Sequence, residues 1–412
     1  MTASKPQWVF TSRLRANAYG WKGSKPAIQR LKEAVSEIKK AARKDPALGA
    51  EGAILVMERI WPAFQQIDSS SGALGNAVYK TLNDLAPLLV NARVARSTRE
   101  KWLDRLWQAI IDDGVDYLAP LEQRWGEVCG TPEVASEWAD RLVPLVRKSW
   151  IEDEGKSYYK GTCAGLSCLL ATGRYDELLA LLEHAPFVSW GYRQYGVKAL
   201  LFMGKTTEAL GYAEASRGPY ETGSFVDKAC EEILLSSGSW EEAYKRYAFA
   251  ANRKTNHLST FCAICKKYSM KDEREILTDL IRRSPGEEGK WFAAAKELGD
   301  FELALDLGFK GPCEPQTLNR AAEEFHETDP RFAAGIAVAS IKNLCAGRGY
   351  EPAPSDAIKA FSLAKQAAQK VGAEEEVLTD IRALIQHDYS LGEFASKAIR
   401  RELEREPAGK GL

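Results

Sequence analysis

Three stretches of this chain write the same phrase: LLATGRYDELLALLE from Leu169, LLFMGKTTEALGYAE from Leu200 and LLSSGSWEEAYKRYA from Leu234. Each sets an apolar pair before a glycine, an aromatic or threonine two residues after it, and a small or apolar residue three further on. Aligned on the glycines, the sets are Gly173, Tyr175 and Leu178; Gly204, Thr206 and Ala209; Gly238, Trp240 and Ala243; and Gly299, Phe301 and Ala304. The glycines are separated by 31, 34 and 61 residues, the last step being close to two repeats. A degenerate copy is therefore expected at Cys265 to Ile281, with Met270 in the place of glycine. A period in the low thirties is that of stacked helix–turn–helix units. Glycine tolerates the positive φ that ends a first helix. The aromatic is expected to pack across its own hairpin, and the small residue lets the second helix approach a neighbour closely. One such unit cannot hide its apolar face alone, so the units must stack.

These residues resemble the tetratricopeptide repeat over about residues 157–310. The usual tryptophan and Leu-Gly pair of the first helix are missing, and Gly165-Leu166, Gly196-Val197 or Cys230-Glu231 stand in place of the latter. The whole chain also resembles an uncharacterised group of bacterial helical-repeat proteins, some relatives of which carry a SWIM zinc finger; the C-x-C pattern of that module is absent from the sequence. The resemblance implies an all-α fold, a right-handed α-solenoid of stacked antiparallel helix pairs behind an N-terminal helical lobe. It implies no activity. It also implies a concave groove built from the first helix of each unit. Gln194, Lys198, Lys228, Glu232 and Lys267 fall on the groove positions, where they would clamp a protein or peptide partner.

Helical periodicity runs through the remainder. Ser24 is expected to cap a helix whose stripe is Ile28, Leu31, Val35 and Ile38. Ser97 and Glu100 fit a capping box ahead of Trp102, Leu103 and Leu106, and Ser239 and Glu242 fit another. Thr131-Pro132 opens a helix with Val134, Trp138, Leu142 and Leu145 facing inward. The expected organisation is a basic, aromatic segment over 1–23, an all-α lobe over 24–156, repeats over 157–315, further helices over 316–405 and a frayed tail over 406–412.

Several chemistries lack their parts. MGKTT (Met203 to Thr207) resembles the end of a phosphate-binding loop, but Ala199 stands where that loop needs glycine. Cys262-x-x-Cys265 with His257 offers three soft ligands where structural zinc takes four. IDDGVD (Ile111 to Asp116) lacks calcium-loop spacing and is expected to end a helix in solvent. The four histidines are scattered, and no nucleophile–base pattern appears. No cofactor and no metal is expected, and no enzyme, an unrecognised hydrolase being the remote alternative. Eight scattered cysteines, no long apolar run and no secretory h-region point to a cytoplasmic protein without a membrane partner.

Charge is uneven. Residues 1–44 carry eleven Lys/Arg against two Glu, a surplus of +9 that leaves −10 on the rest. Within Gln7 to Lys25 the cations Arg13, Arg15, Lys22 and Lys25 interleave with Trp8, Phe10, Tyr19 and Trp21. Cations and planar rings together suit single-stranded nucleic acid, so Arg13, Arg15, Trp21, Lys22 and Lys25 are the candidate contacts of that second reading. The alternative is that the rings anchor the segment on the first helices.

Overall fold

In the computed structural model, residues 8–152, 158–218, 224–386 and 392–405 are described. The tail 406–412 and His387 lie outside them. The described residues hold helices and no strand, and helices pack on their neighbours in chain order. The chain divides into two compact units, Met1–Ile233 and Leu234–Leu412. The sequence boundaries at 156 and 315 fall inside these units.

The first unit opens with α1 (Phe10–Arg13), α2 (Ser24–Ala42), α3 (Pro46–Phe64), α4 (Ala73–Asn91) and α5 (Arg96–Asp112). Short α6 (Ala119–Glu122) and α7 (Trp125–Val128) lead into α8 (Pro132–Arg147) and a π-helical turn, Lys148–Glu152. Two helix pairs follow, α9 (Thr162–Ala171) with α10 (Tyr175–Glu183) and α11 (Trp190–Phe202) with α12 (Thr206–Glu214). Next comes α13 (Ser224–Ser236), within which the division falls.

Helices α2, α3 and α4 pack on one another, α5 lies on α3, and both α7 and α8 lie on α9. A single apolar core runs from Trp8 to Ala199, so the N-terminal helices and the pairs from α9 to α11 share it. At its centre Trp107, Trp125 and Trp138 meet with ring centroids 5.1–5.4 Å apart. A forked ion pair ties α5 to α3: Arg105 donates through Nε and Nη2 to the two Glu58 oxygens, each at 2.7 Å. Gly126 is where α7 meets α9 backbone to backbone. A Cβ there would stand 2.3 Å from the Ser167 carbonyl oxygen.

The second unit comprises α14 (Trp240–Ala251), α15 (His257–Lys267), α16 (Glu273–Arg282), a 3-10 turn (Glu288–Trp291), α17 (Phe292–Glu297) and α18 (Phe301–Lys310). It ends in α19 (Pro315–Phe325), α20 (Pro330–Cys345), α21 (Pro354–Lys370), α22 (Glu374–Gln386) and α23 (Glu393–Arg405). Consecutive first helices touch, α15 with α17, α19 with α21 and α21 with α23; so do the second helices α18 with α20 and α20 with α22.

Gly173, Gly204, Gly238 and Gly299 lie at the turns, with φ of 73°, 74°, 80° and 76°. At each, the next residue's N–H reaches back five residues to a helix carbonyl, as from Arg174 to Leu169 and Lys205 to Leu200, at 2.9–3.0 Å across the four. This double closure satisfies carbonyls that a helix end leaves open. Leu178, Ala209, Ala243 and Ala304 are all fully buried. The pattern recurs unread at Gly372, with φ 69° and α22 starting two residues later.

Local expectations are corrected in several places. Two of the aromatics reach forward onto the next pair: Tyr175 stacks on Phe202 at 5.9 Å, and Phe301 meets Phe325 and Phe332 at 5.0 Å. The degenerate copy is slipped by one residue, because Ile276 and not Glu275 takes the buried site, and its turn needs no left-handed residue. Ser24 lies inside α2 and donates to the Asp68 carbonyl; it caps nothing. Ser97 lies inside α5, which starts on Ala95 with no side-chain cap, while Glu100 pairs with Arg96. Ser239 makes no cap bond, and Leu145 is 46% exposed. Thr131 does cap α8 through the Val134 N–H.

Candidate functional site

Two adjoining open cavities in the second unit share Asn256, His257 and Lys290. One, of about 490 Å³, is floored by Leu258, Phe292 and Ala293 and walled by Cys313, Glu314, Thr317 and Arg320. The other, of about 400 Å³, is bounded by Phe249, Arg253, Lys254, Arg283, Glu287 and Trp291. The groove they form follows the starts of α15, of the 3-10 turn with α17, and of α19, the first helices of three consecutive pairs.

Local chemistry holds the walls. Asn256 caps α15 by accepting from the Ser259 N–H at 2.7 Å, which fixes His257 at the first turn. The His257 ring stands edge-on to buried Trp291, centroids 4.7 Å apart, and the Trp291 indole donates to Ser284 at 3.0 Å. Gly289 presses on the Gly311 backbone, where a Cβ would come within 2.6 Å. Buried Asn343 accepts from the Cys313 N–H and donates to the Gly308 and Ala339 carbonyls at 2.8–3.0 Å, pinning the far wall.

The groove is electropositive. Arg253, Lys254, Arg283, Lys290 and Arg320 face only Glu287 and Glu314. Glu287 is engaged by Lys290, and Glu314 accepts from the Tyr350 N–H at 3.2 Å. Arg253 and Lys254 make no side-chain hydrogen bond or ion pair among the described residues. Burial, with Lys290 and Arg253 nearby, holds the His257 pKa below the ordinary imidazole range, so its ring is neutral at pH 7. Trp291 and Phe292 are at most 1% exposed, while Phe249 and His257 are half-buried. The groove therefore offers charge, an apolar floor and two partly open rings.

The positions carried over from the tetratricopeptide groove lie elsewhere. On α11, Gln194 is half-buried and donates to the Gly191 carbonyl at 3.1 Å, while exposed Lys198 lies 6.0 Å from the Tyr195 ring. On α13, Lys228 sits 5.6 Å from the Phe225 ring, and Glu232 is exposed one turn on. Lys267 ends α15 and lines neither cavity. Sequence reading missed the groove because its residues gather from helix starts and loops far apart in the chain, while the borrowed positions lie further along α11, α13 and α15. The basic run Ala251 to Lys254 just before α15 was the available signal.

In the N-terminal segment the rings face mainly inward. Trp8 and Phe10 are buried, Trp8 lying against Gly52, and Tyr19 packs edge-on to Phe64 at 5.6 Å. Trp21 is 68% exposed beside exposed Arg15, Lys22 and Lys25. Arg13 is paired with Glu33.

The remaining motifs resolve locally. Gly204 and Lys205 of MGKTT form the α11–α12 turn, with Lys205 3.5 Å from Glu208. Burial pushes the Cys265 thiol up to about 12, while Cys262 is exposed. Asp113 of IDDGVD is buried and not solvated, accepting from the Val115 and Leu118 N–H groups. Among the described residues no group of three His, Cys, Asp or Glu side chains is placed to hold a metal, and no helix is long and apolar enough to cross a membrane.

No family model, curated protein or solved structure matches the chain.

Proposed function

We propose that this chain is a non-enzymatic helical-repeat scaffold, each unit a right-handed stack of antiparallel pairs, that binds a protein or peptide partner along its first helices. One observation carries the reading: the first helices of three consecutive pairs line a groove with an apolar floor and a surplus of positive charge. A stack of short helix pairs presents a long continuous face to a ligand. Eight cysteines without a disulfide support placement in the cytoplasm.

The nucleic-acid reading has less behind it. Three of the four rings in the N-terminal segment pack inward, leaving Trp21 as its one open stacking face among the described residues. Capture from the source organism's lysate, followed by mass spectrometry, tests the choice. A partner retained by the native chain should be lost from an Arg253→Glu, Lys290→Glu variant and kept by Arg15→Glu. Loss with Arg15→Glu and retention by the groove variant would transfer the function to the N-terminal segment. Lys198→Glu with Lys228→Glu tests the mid-helix positions in the same way.

A further inference from the structure

A separate feature of the first unit calls for a ligand of defined charge. Between the 90–96 stretch and the Gly130–Val134 turn lies an open crevice of about 970 Å³, walled also by Arg99. Arg99 is 7% exposed. It donates through Nη1 to the Leu89 and Val128 carbonyls at 2.5 and 3.3 Å, and through Nη2 to the Ala92 carbonyl at 2.6 Å. No carboxylate pairs with it among the described residues. Three carbonyl dipoles hold the guanidinium but do not neutralise it, and a buried charge without a counter-charge is costly. Nε and one Nη2 hydrogen remain for another acceptor. Gly130 lies against the face of the guanidinium, where a Cβ would stand 3.0–3.1 Å from Cζ, Nε and Nη2.

The rest of the crevice points the same way. Arg93 on its lip is exposed and makes no side-chain hydrogen bond or ion pair among the described residues. Arg96 is already taken by Glu100 and Glu137 at 2.7 and 2.5 Å. The opposite wall carries one carboxylate, Glu133, which accepts from its own N–H and from the Thr131 hydroxyl. The backbone N–H groups of residues 93–97 find no acceptor among the described residues. Of the three arginines Arg93 alone stands without a partner among the described residues, just before a helix start, where a cation is disfavoured unless an anion joins it.

We propose that this crevice binds the phosphate group of a small phosphorylated molecule. Donors are available from three places along the crevice: Arg99, Arg93 and the peptide N–H groups of residues 93–96. That spread suits a tetrahedral oxyanion better than a planar carboxylate. The volume exceeds a phosphate alone, so an organic body shares it. No aromatic side chain lines the space, which speaks against a stacked nucleobase.

Titration of the full-length chain with inorganic phosphate and with glycerol phosphate, at ionic strength matched with chloride and followed by calorimetry and by phosphorus NMR, tests this. Both should bind saturably at one site, glycerol phosphate the tighter. Arg93→Ala should weaken binding about tenfold or more, with helix content unchanged; Arg15→Ala should leave it intact. Arg99→Lys keeps the charge and loses the fork, and should also weaken binding. The proposal fails if phosphate does no more than matched chloride, if acetate and citrate bind equally well, or if Arg93→Ala binds like the native chain.

Discussion

Gly204 and Gly211 lie seven residues apart, and the same change to alanine should act on them with opposite sign. Neither position opposes a Cβ on space, since none of the surrounding atoms comes within 4 Å of it. They differ in backbone alone. Gly204 ends the α11 turn at φ 74°, whereas Gly211 sits inside α12 with ordinary helical geometry. An alanine held in the left-handed region costs about 1–2 kcal/mol. Loss of freedom in the unfolded chain offsets about 0.4–1 kcal/mol of that. Gly204→Ala should therefore destabilise by about 1 kcal/mol, while Gly211→Ala should stabilise by about 0.5–1 kcal/mol. Gly204→Asn should recover much of the loss, as asparagine tolerates that conformation. Urea unfolding followed by far-ultraviolet circular dichroism reads all three midpoints. If Gly204→Ala is neutral, or if both alanine variants shift the midpoint the same way, the turn geometry offered for the repeat is wrong.

Three more expectations concern buried contacts. Gly126→Ala should destabilise the first unit by about 1–3 kcal/mol or more, because the new methyl meets the Ser167 carbonyl, and the urea midpoint checks it. Asn343→Leu leaves the Cys313 N–H and the Gly308 carbonyl unbonded, while the Ala339 carbonyl keeps its helix bond, at about 1–3 kcal/mol for each group that water does not reach, and faster hydrogen exchange at Cys313 should accompany it. Glu122 is buried, accepts from the Gly161 and Cys163 N–H groups at 3.0 Å, and has its pKa raised by burial. Its folded form thus holds the proton more tightly than its unfolded form. Stability should fall as pH rises from the ordinary glutamate value through the raised one, and Glu122→Gln should remove that slope in unfolding midpoints measured across the window.

The turns were legible because a left-handed turn is a property of three or four consecutive residues, and glycine marks it wherever the chain needs it. Gly173, Gly204, Gly238 and Gly299 announce their turns without help from tertiary structure. Where another residue closes the turn, as between Tyr268 and Asp272, the register slipped by one. Caps were less legible. Ser24 and Ser97 have capping side chains, but Ser24 bonds the Asp68 carbonyl, 44 residues away. The basic groove and the Arg99 crevice were opaque for the same reason. Arg99 is defined by carbonyls at 89, 92 and 128, and the groove by first turns at 257, 290 and 317, separations that no local pattern encodes.

The three indoles at 107, 125 and 138 have an optical consequence. Chromophores 5.1–5.4 Å apart couple their excited states, so together they should produce a paired near-ultraviolet band that isolated tryptophans lack. Nine of the eleven tryptophans precede residue 234, and Trp240 and Trp291 follow it. Light absorbed or emitted by the intact chain therefore speaks mostly for Met1–Ile233. A denaturant series read by that band and by total helicity together would show whether the two halves of the polypeptide melt in one step or in two.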